Sequence, residues 1–202
     1  MSHKLYLASQ SSRRRELLTS AGFCFEVLPP DAGVEDERWS DELPDRYVCR
    51  MAVQKACNVA GKIGSGFIIA CDTVVCCGEE LLGKPTDKND ARRMLKNLRG
   101  QKHQVVSGLC VLAKKTNEPN QQIVVAEKTE LVMQQISDPE IETYLNSNSW
   151  QGKAGAFGYQ DNNSWIKIIK GSESNVVGLP MERLQELLNQ LGFFVRKLGC
   201  KI

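Results

Sequence analysis

FIIACDTVVCC, residues 67–77, is the stretch on which the fold of this chain turns. Apart from Asp72 and Thr73 it is apolar throughout, so simple alternation assigns it no wet face. Such a run, closed by the turn signal Gly78, reads as a strand buried on both sides and therefore central in its sheet. The segments before it supply partners. KLYLA (4–8) reads as a short strand, and a Ser-rich turn leads from it into a helix over about 12–21 that closes at Gly22. FCFEVL (23–28) reads as a second strand, PPDAGVEDERWS (29–40) as an acidic loop, and about 43–62 as a long helix. After the central strand, DKNDARRMLKNLRG (87–100) places Ala91, Met94, Leu95 and Leu98 on one helical side, with Gly100 as the stop. HQVVSGLCVLAKK (103–115) and QIVVAEKTELVMQQI (122–136) read as long strands joined by TNEPNQ. SDPEIETYLN (137–146) opens on a capping box, Ser137 with Glu140, and has Pro139 near the first helical position. WIKIIKG (165–171) is strand-like, LPMERLQELLNQLG (179–192) is an amphipathic helix, and FFVRKL (193–198) reads as a last strand. Strands and helices alternate in mixed order, which predicts an α/β protein with a mixed sheet.

The bulk numbers exclude several classes. The chain has 202 residues and 42% apolar content, enough for one domain or two small lobes sharing a core, without disulfide staples. With 26 basic and 24 acidic residues the net charge is +2, which argues against a general nucleic-acid binder. No apolar run reaches the length of a membrane span, and MSHKLYLASQ lacks the apolar core of a signal peptide, so a soluble cytoplasmic protein is expected. Eight cysteines occur with no CxxC pair and with two histidines, so zinc-site spacing is absent. Most of these cysteines lie in apolar runs and read as small buried hydrophobes in a reducing compartment.

Three features point to chemistry. SQSSRRREL (9–17) sets three arginines at a helix start, where the dipole disfavours cations. A strand, a tight turn and a helix start also present free backbone N–H groups to an anion, and Ser9, Ser11 and Ser12 add hydroxyls. A bound phosphate chain would reverse the cost of Arg13 and Arg14. A solvated basic turn is the alternative, and the clustering favours the anion site. Asp72 is the second feature. A carboxylate inside an apolar strand is expensive unless it binds a metal, pairs with a cation or acts as a base; a structural bond to backbone or Thr73 is the competing reading. Lys55 is the third. On YVCRMAVQKACNVAG (47–61) it falls on the same face as Val48, Met51, Ala52, Ala56 and Val59, so it should point toward the sheet unless its stem snorkels to water. Lys84 in the GKP turn (83–85) is a further candidate. GKAGAFGYQ (152–160) is rich in small residues that let backbone approach a ligand, with Gln160 able to read a base edge. GSESNVVGLP (171–180) resembles a ligand-lining turn, although ordinary turn chemistry explains it equally well. Among the acids Glu35, Asp36 and Glu37, one together with Asp72 would suffice to hold a magnesium ion against phosphates.

LYLASQSSRRRELL, IIACDTVV, LGKP, GQKHQVVSG, GKAGAFGYQ and NVVGLP stand in the order found in the Maf-like nucleotide pyrophosphatases, and the resemblance covers about residues 4–190. It implies a single domain over 1–202, with an elongated mixed sheet, flanking helices and two lobes around a cleft, similar to inosine triphosphatases. It implies cleavage of nucleoside triphosphates to the monophosphate and pyrophosphate, a divalent cation such as Mg²⁺ or Mn²⁺, and a homodimer, with no nucleic-acid or membrane partner. Carried over by motif, Ser9, Arg13, Arg14, Lys84, Lys153 and Gln160 would bind substrate. Asp72 would be the proton acceptor, with Lys55 and Glu35 in the catalytic set and Asp72 and Glu35 on the metal. Glu37 competes with Glu35, because the loop resembles an insertion. The pattern from Lys153 to Gln160 resembles the branch that prefers dTTP, UTP and modified uridine triphosphates and cleanses nucleotide pools. Ser12 in place of a usual proline and Phe157 in place of a frequent tyrosine are departures that remove no charge. A nucleotide-binding regulator of cell division without turnover is the alternative.

Overall fold

The computed structural model describes residues 4–34, 36, 38–161 and 164–194. In chain order the elements are β1 (Leu5–Leu7), α1 (Ser12–Ser20), β2 (Glu26–Val27), α2 (Pro44–Ala60), β3 (Gly66–Cys77), β4 (Glu80–Leu82), α3 (Lys88–Leu98), β5 (Lys102–Lys114), β6 (Gln121–Met133), α4 (Asp138–Asn146), β7 (Ile166–Lys170), α5 (Glu173–Val177) and α6 (Met181–Gln190). The strands form one mixed sheet in the order β2-β1-β3-β5-β6-β7, with β4 also paired to β3. β1 runs parallel to β2 and β3, and the remaining pairs are antiparallel. The apolar stretch 67–77 is thus the central strand that its composition demands.

Alternation along β3 explains what packs where. Ile68 and Ala70 face Ala52, Ala56 and Val59 of α2. Phe67, Ile69 and Cys71 face the other way, into a core with Leu184, Leu187 and Leu188 of α6. Farther along the sheet, Val75, Val105, Leu131 and Met133 join a separate core with α3 and α4. Between these cores lies a more polar band, where Asp72 pairs with Gly108 and Thr73 with Ser107. The lobes are therefore divided by a change of side-chain chemistry along continuous strands, not by a break in the backbone. Gly108 belongs to this band for a steric reason: a Cβ there would run into the backbone of Val48 and Cys49 on α2. Lacking one, it lets the helix lie close over the sheet.

Local rules set most boundaries. Ser137 accepts the Glu140 N–H while the Glu140 carboxylate accepts that of Ser137, completing the expected capping box of α4. Ala91, Met94, Leu95 and Leu98 are the buried side of α3, and Gly100 beyond it has φ +71°. Some expectations need correction. The strand over 23–28 shrinks to Glu26–Val27, because β1, its partner among the described residues, is three residues long. GSESNVVGLP contains α5, a short helix capped by Ser172 and closed by Gly178 in the left-handed region. Phe193 and Phe194 form no strand, and the rest of the strand expected at 193–198 lies outside the described residues. Of the cysteines, Cys71 and Cys110 are buried, whereas Cys24 and Cys57 are exposed. No helix among the described residues is long and apolar enough to cross a membrane.

Candidate active site

The cleft arises from strand lengths. On one edge of β3, β1 covers residues 67–69 and β4 covers 75–77, leaving the stretch between them bare on that side. Its other edge is fully paired with β5. Both faces of the exposed stretch therefore look round one edge into a cavity of about 690 Å³, to which Asp72 and Thr73 both contribute.

Each face brings its own helix. On the α2 side, Lys55 is 6% exposed, and its ammonium lies 2.6 Å from Asp72 Oδ1. The apolar setting predicted from periodicity is real, and the carboxylate is what the lysine reaches instead of water. Each charge offsets the desolvation of the other, which a buried charge needs in order to persist. On the opposite side Arg14 donates from Nε to Gly178 O (2.7 Å), from Nη1 to Ser9 Oγ (3.2 Å) and from Nη2 to Thr73 Oγ1 (3.2 Å). Thr73 Oγ1 in turn shares a hydrogen bond with Ser107 Oγ (2.9 Å). Arg14 thus braces α1, β3 and the end of α5, with guanidinium N–H groups left over for a ligand.

The Ser-rich turn behaves as a helix entry. Ser11 caps α1 by accepting the Arg14 N–H, and Ser9 Oγ accepts the Ser11 N–H. No acidic residue occupies the first turn. Arg13 donates to Gly152 O (2.8 Å). Burial and the adjacent Arg14 charge lower its pKa from the ordinary arginine value. Two guanidiniums side by side at the positive end of a helix form a site that an anion would relieve.

The remaining candidates also line the cavity. Lys84 is exposed in the turn after β4. That turn is tied to the GKAGAFGYQ segment by the Gly155 N–H donating to Gly83 O (3.0 Å). Gln160 is exposed on the wall. Lys153 is 9% exposed, and its ammonium is engaged by the carboxylate of Asp161. Of the loop acids, Glu35 and Glu37 lie outside the described residues, while neighbouring Val34 borders the cavity. Asp36 is not among its lining residues: its carboxylate meets the Gln54 amide and lies 3.7 Å from Arg50. The structure thus assembles Ser9, Arg13, Arg14, Lys55, Asp72, Lys84, Lys153 and Gln160 around one cleft and draws Asp36 away.

Sequence reasoning did not single out Asp161 or Ser107; Gly178 belongs to GSESNVVGLP, the turn left open between ligand lining and turn chemistry, and Val176, Val177 and Gly178 of it do line the cavity. Thr73 was visible beside Asp72 as the second interruption of the apolar run. Asp161 carries no periodic signal, since its partners come from turns and from α4.

A divalent cation fits the chemistry of the cleft in a limited way. Among the described residues no group of three His, Cys, Asp or Glu side chains could hold a metal alone. Asp72 still offers a hard oxygen donor at the cleft wall, since of its two oxygens it is Oδ1 that accepts from Lys55. One carboxylate with substrate oxygens and water suits Mg²⁺ better than a soft metal.

Cationic groups from both lobes converging on a compensated carboxylate, at the bare edge of a central strand, define an α/β protein with a cleft built for a polyanion. A family model described as Maf-like protein matches residues 4–191. The chain belongs to the Maf-like family. Among its relatives, a dTTP/UTP pyrophosphatase of Rhodopirellula baltica is 44% identical over 91% of this chain and 80% of its own length. Proteins of the same name from Anaeromyxobacter dehalogenans (40%, covering 96% of both chains) and Geotalea uraniireducens (41%, covering 93% and 95%) are similar over nearly the whole chain. A solved nucleoside-triphosphatase, a dITP/XTP pyrophosphatase of Mycobacterium abscessus, is 14% identical and covers 66% of this chain and 75% of its own, with a TM-score of 0.39. That likeness is too loose to add to the fold described above.

Proposed function

We propose that this protein is a nucleoside triphosphate pyrophosphatase that hydrolyses dTTP, UTP and modified uridine triphosphates to the monophosphate and pyrophosphate. The observation that carries this reading is the Lys55–Asp72 pair, 2.6 Å apart, facing a cleft that also receives Arg13, Arg14 and Lys84. The names of the relatives support the same reading.

Ser9, the start of α1, Arg13 and Lys84 bind the triphosphate and offset its charge, which grows on the leaving pyrophosphate as the bond breaks. Arg14 keeps the cradle in shape while donating to phosphate oxygens. Asp72 accepts the proton of the attacking water, and Lys55 fixes the carboxylate's orientation. Mg²⁺ or Mn²⁺, held by Asp72 with Glu35, would supply further neutralisation of the phosphates. Gln160 and Lys153 form the wall nearest the base. A regulator that bound nucleotide without turnover would need the cationic cradle but not the close juxtaposition of Lys55 and Asp72, so hydrolysis is the better reading. We further propose one domain over residues 1–202, a homodimer, and a cytoplasmic location without nucleic-acid or membrane partners.

A panel of triphosphates assayed with Mg²⁺ for pyrophosphate and for phosphate tests the proposal. Pyrophosphate should be released in step with monophosphate from dTTP and UTP. Asp72→Asn should lower kcat by roughly 10²–10⁴-fold while nucleotide still binds. Release of single phosphates, or a variant turning over near the wild-type rate, refutes the assignment.

A further inference from the structure

The segment 153–161 is closed on itself. The Lys153 ammonium at its start reaches the Asp161 carboxylate at its end, and the phenol of Tyr144 on α4 donates to the same carboxylate (2.7 Å). The ring is drawn tight: a Cβ at Gly158 would strike both the Lys153 ammonium and Asp161 Oδ2. Outside the ring, Arg13 holds Gly152 O and Gly83 O holds the Gly155 N–H. Tyr159 and Gln160, the last residues before the clasp, line the cleft, and Asp161 is not among the lining residues.

Its charge has two consequences. Lys153 is nearly buried beside a cleft that already holds Arg13, Arg14 and Lys84. Without a counter-ion its ammonium would be an uncompensated buried cation. Asp161 keeps that ammonium in the wall. By holding both ends of the ring it also fixes the backbone from which the Gln160 amide projects.

We propose that Asp161 is a positioning residue for base selection, acting through Lys153 and Gln160 without touching the substrate. The inference rests on the pyrophosphatase reading above. It separates two halves of substrate recognition, because the ring should matter for the base and not for the phosphate chain.

The test compares dTTP, dCTP and dGTP as substrates, with inorganic tripolyphosphate as a base-free competitive inhibitor. For Asp161→Asn we expect KM for dTTP to rise roughly tenfold and preference over dGTP to fall by a similar factor. kcat and the inhibition constant of tripolyphosphate should stay within about twofold of wild type. Asp161→Glu, which keeps the charge, should retain most of the selectivity. If Asp161→Asn does not fold, Tyr144→Phe, which removes the other hydrogen bond to the Asp161 carboxylate, should lower selectivity in the same direction. Equal losses for tripolyphosphate and nucleotides would reduce Asp161 to a structural part and overturn the proposal, as would unchanged selectivity in Asp161→Asn. A wild-type protein that releases no pyrophosphate from any triphosphate would fail the broader reading, and this one with it. An active wild type with an indifferent Asp161→Asn fails this one alone.

Discussion

His103 is the titrating side chain least reconciled with its surroundings. It is nearly buried, its Nδ1 lies 3.3 Å from Gln101 O, and its Nε2 has no partner among the described residues. Its ring packs edge-on against Phe157, which borders the cleft. Burial lowers its pKa below the ordinary 6.5. The unfolded chain therefore takes up the proton first as pH falls, so stability is present above pH 6.5 and is lost progressively below it, down to the folded-state pKa. Melting temperatures measured from about pH 7.5 to about pH 5.5 should fall for the wild type and fall less for His103→Gln. An identical decline in the two would assign the effect elsewhere; the second histidine, His3, lies outside the described residues. At this scale the sequence was most legible where a residue broke a pattern. Asp72 interrupted an apolar run and Lys55 stood on an apolar helix face, and the structure joins the two. His103 and Asp161 broke no pattern, since what surrounds them is contributed by distant segments. The acids of the loop were alike in sequence, and only the geometry of α2 shows that Asp36 belongs to Gln54.

α2 shows how one element serves packing and chemistry together. Its inner face buries Val48, Met51, Ala52, Ala56 and Val59. The next row, Arg50, Gln54 and Asn58, continued by Lys62 just past the helix, recurs every four residues and binds Glu42, Asp36 and Asp31 of the segment before the helix. The helix depends on its close approach at Gly108. Gly108→Ala should force it off the sheet, at a cost of about 1–3 kcal/mol, the range for overpacked cores. Denaturant unfolding should show a lower midpoint, and an unchanged midpoint would mean that the contact yields freely. Activity of the folded fraction should also decline, because Lys55 rides on the same helix. Elements were readable wherever periodicity or capping ran long enough, as in α2, α3 and the capping box of α4. They were hard to read where a segment was too short to repeat its pattern. β2, with two residues, and α5, with five, are of this kind, and tertiary contacts decide what they become.

Across the whole molecule, one ligand should tie the two cores together, since Arg13 and Lys84 approach the cleft from different elements. A non-hydrolysable dTTP analogue with Mg²⁺ at about a hundredfold its Kd should stabilise the protein by ~2.7 kcal/mol. Asp72→Asn, which retains the cradle, should show a comparable rise in melting temperature. Absence of any shift in either protein would count against nucleotide binding. The mixed architecture was legible because the central strand and the long pair after it declared themselves by composition. The cleft was not, because it comes from how far β1 and β4 extend along β3. The same ladders carry a mechanical corollary. β3, β5 and β6 pass without interruption from one core to the other, so the jaws share a stiff beam and have no hinge at the level of the sheet. Substrate capture should therefore need only loop adjustment, and the catalytic rate should show little dependence on solvent viscosity.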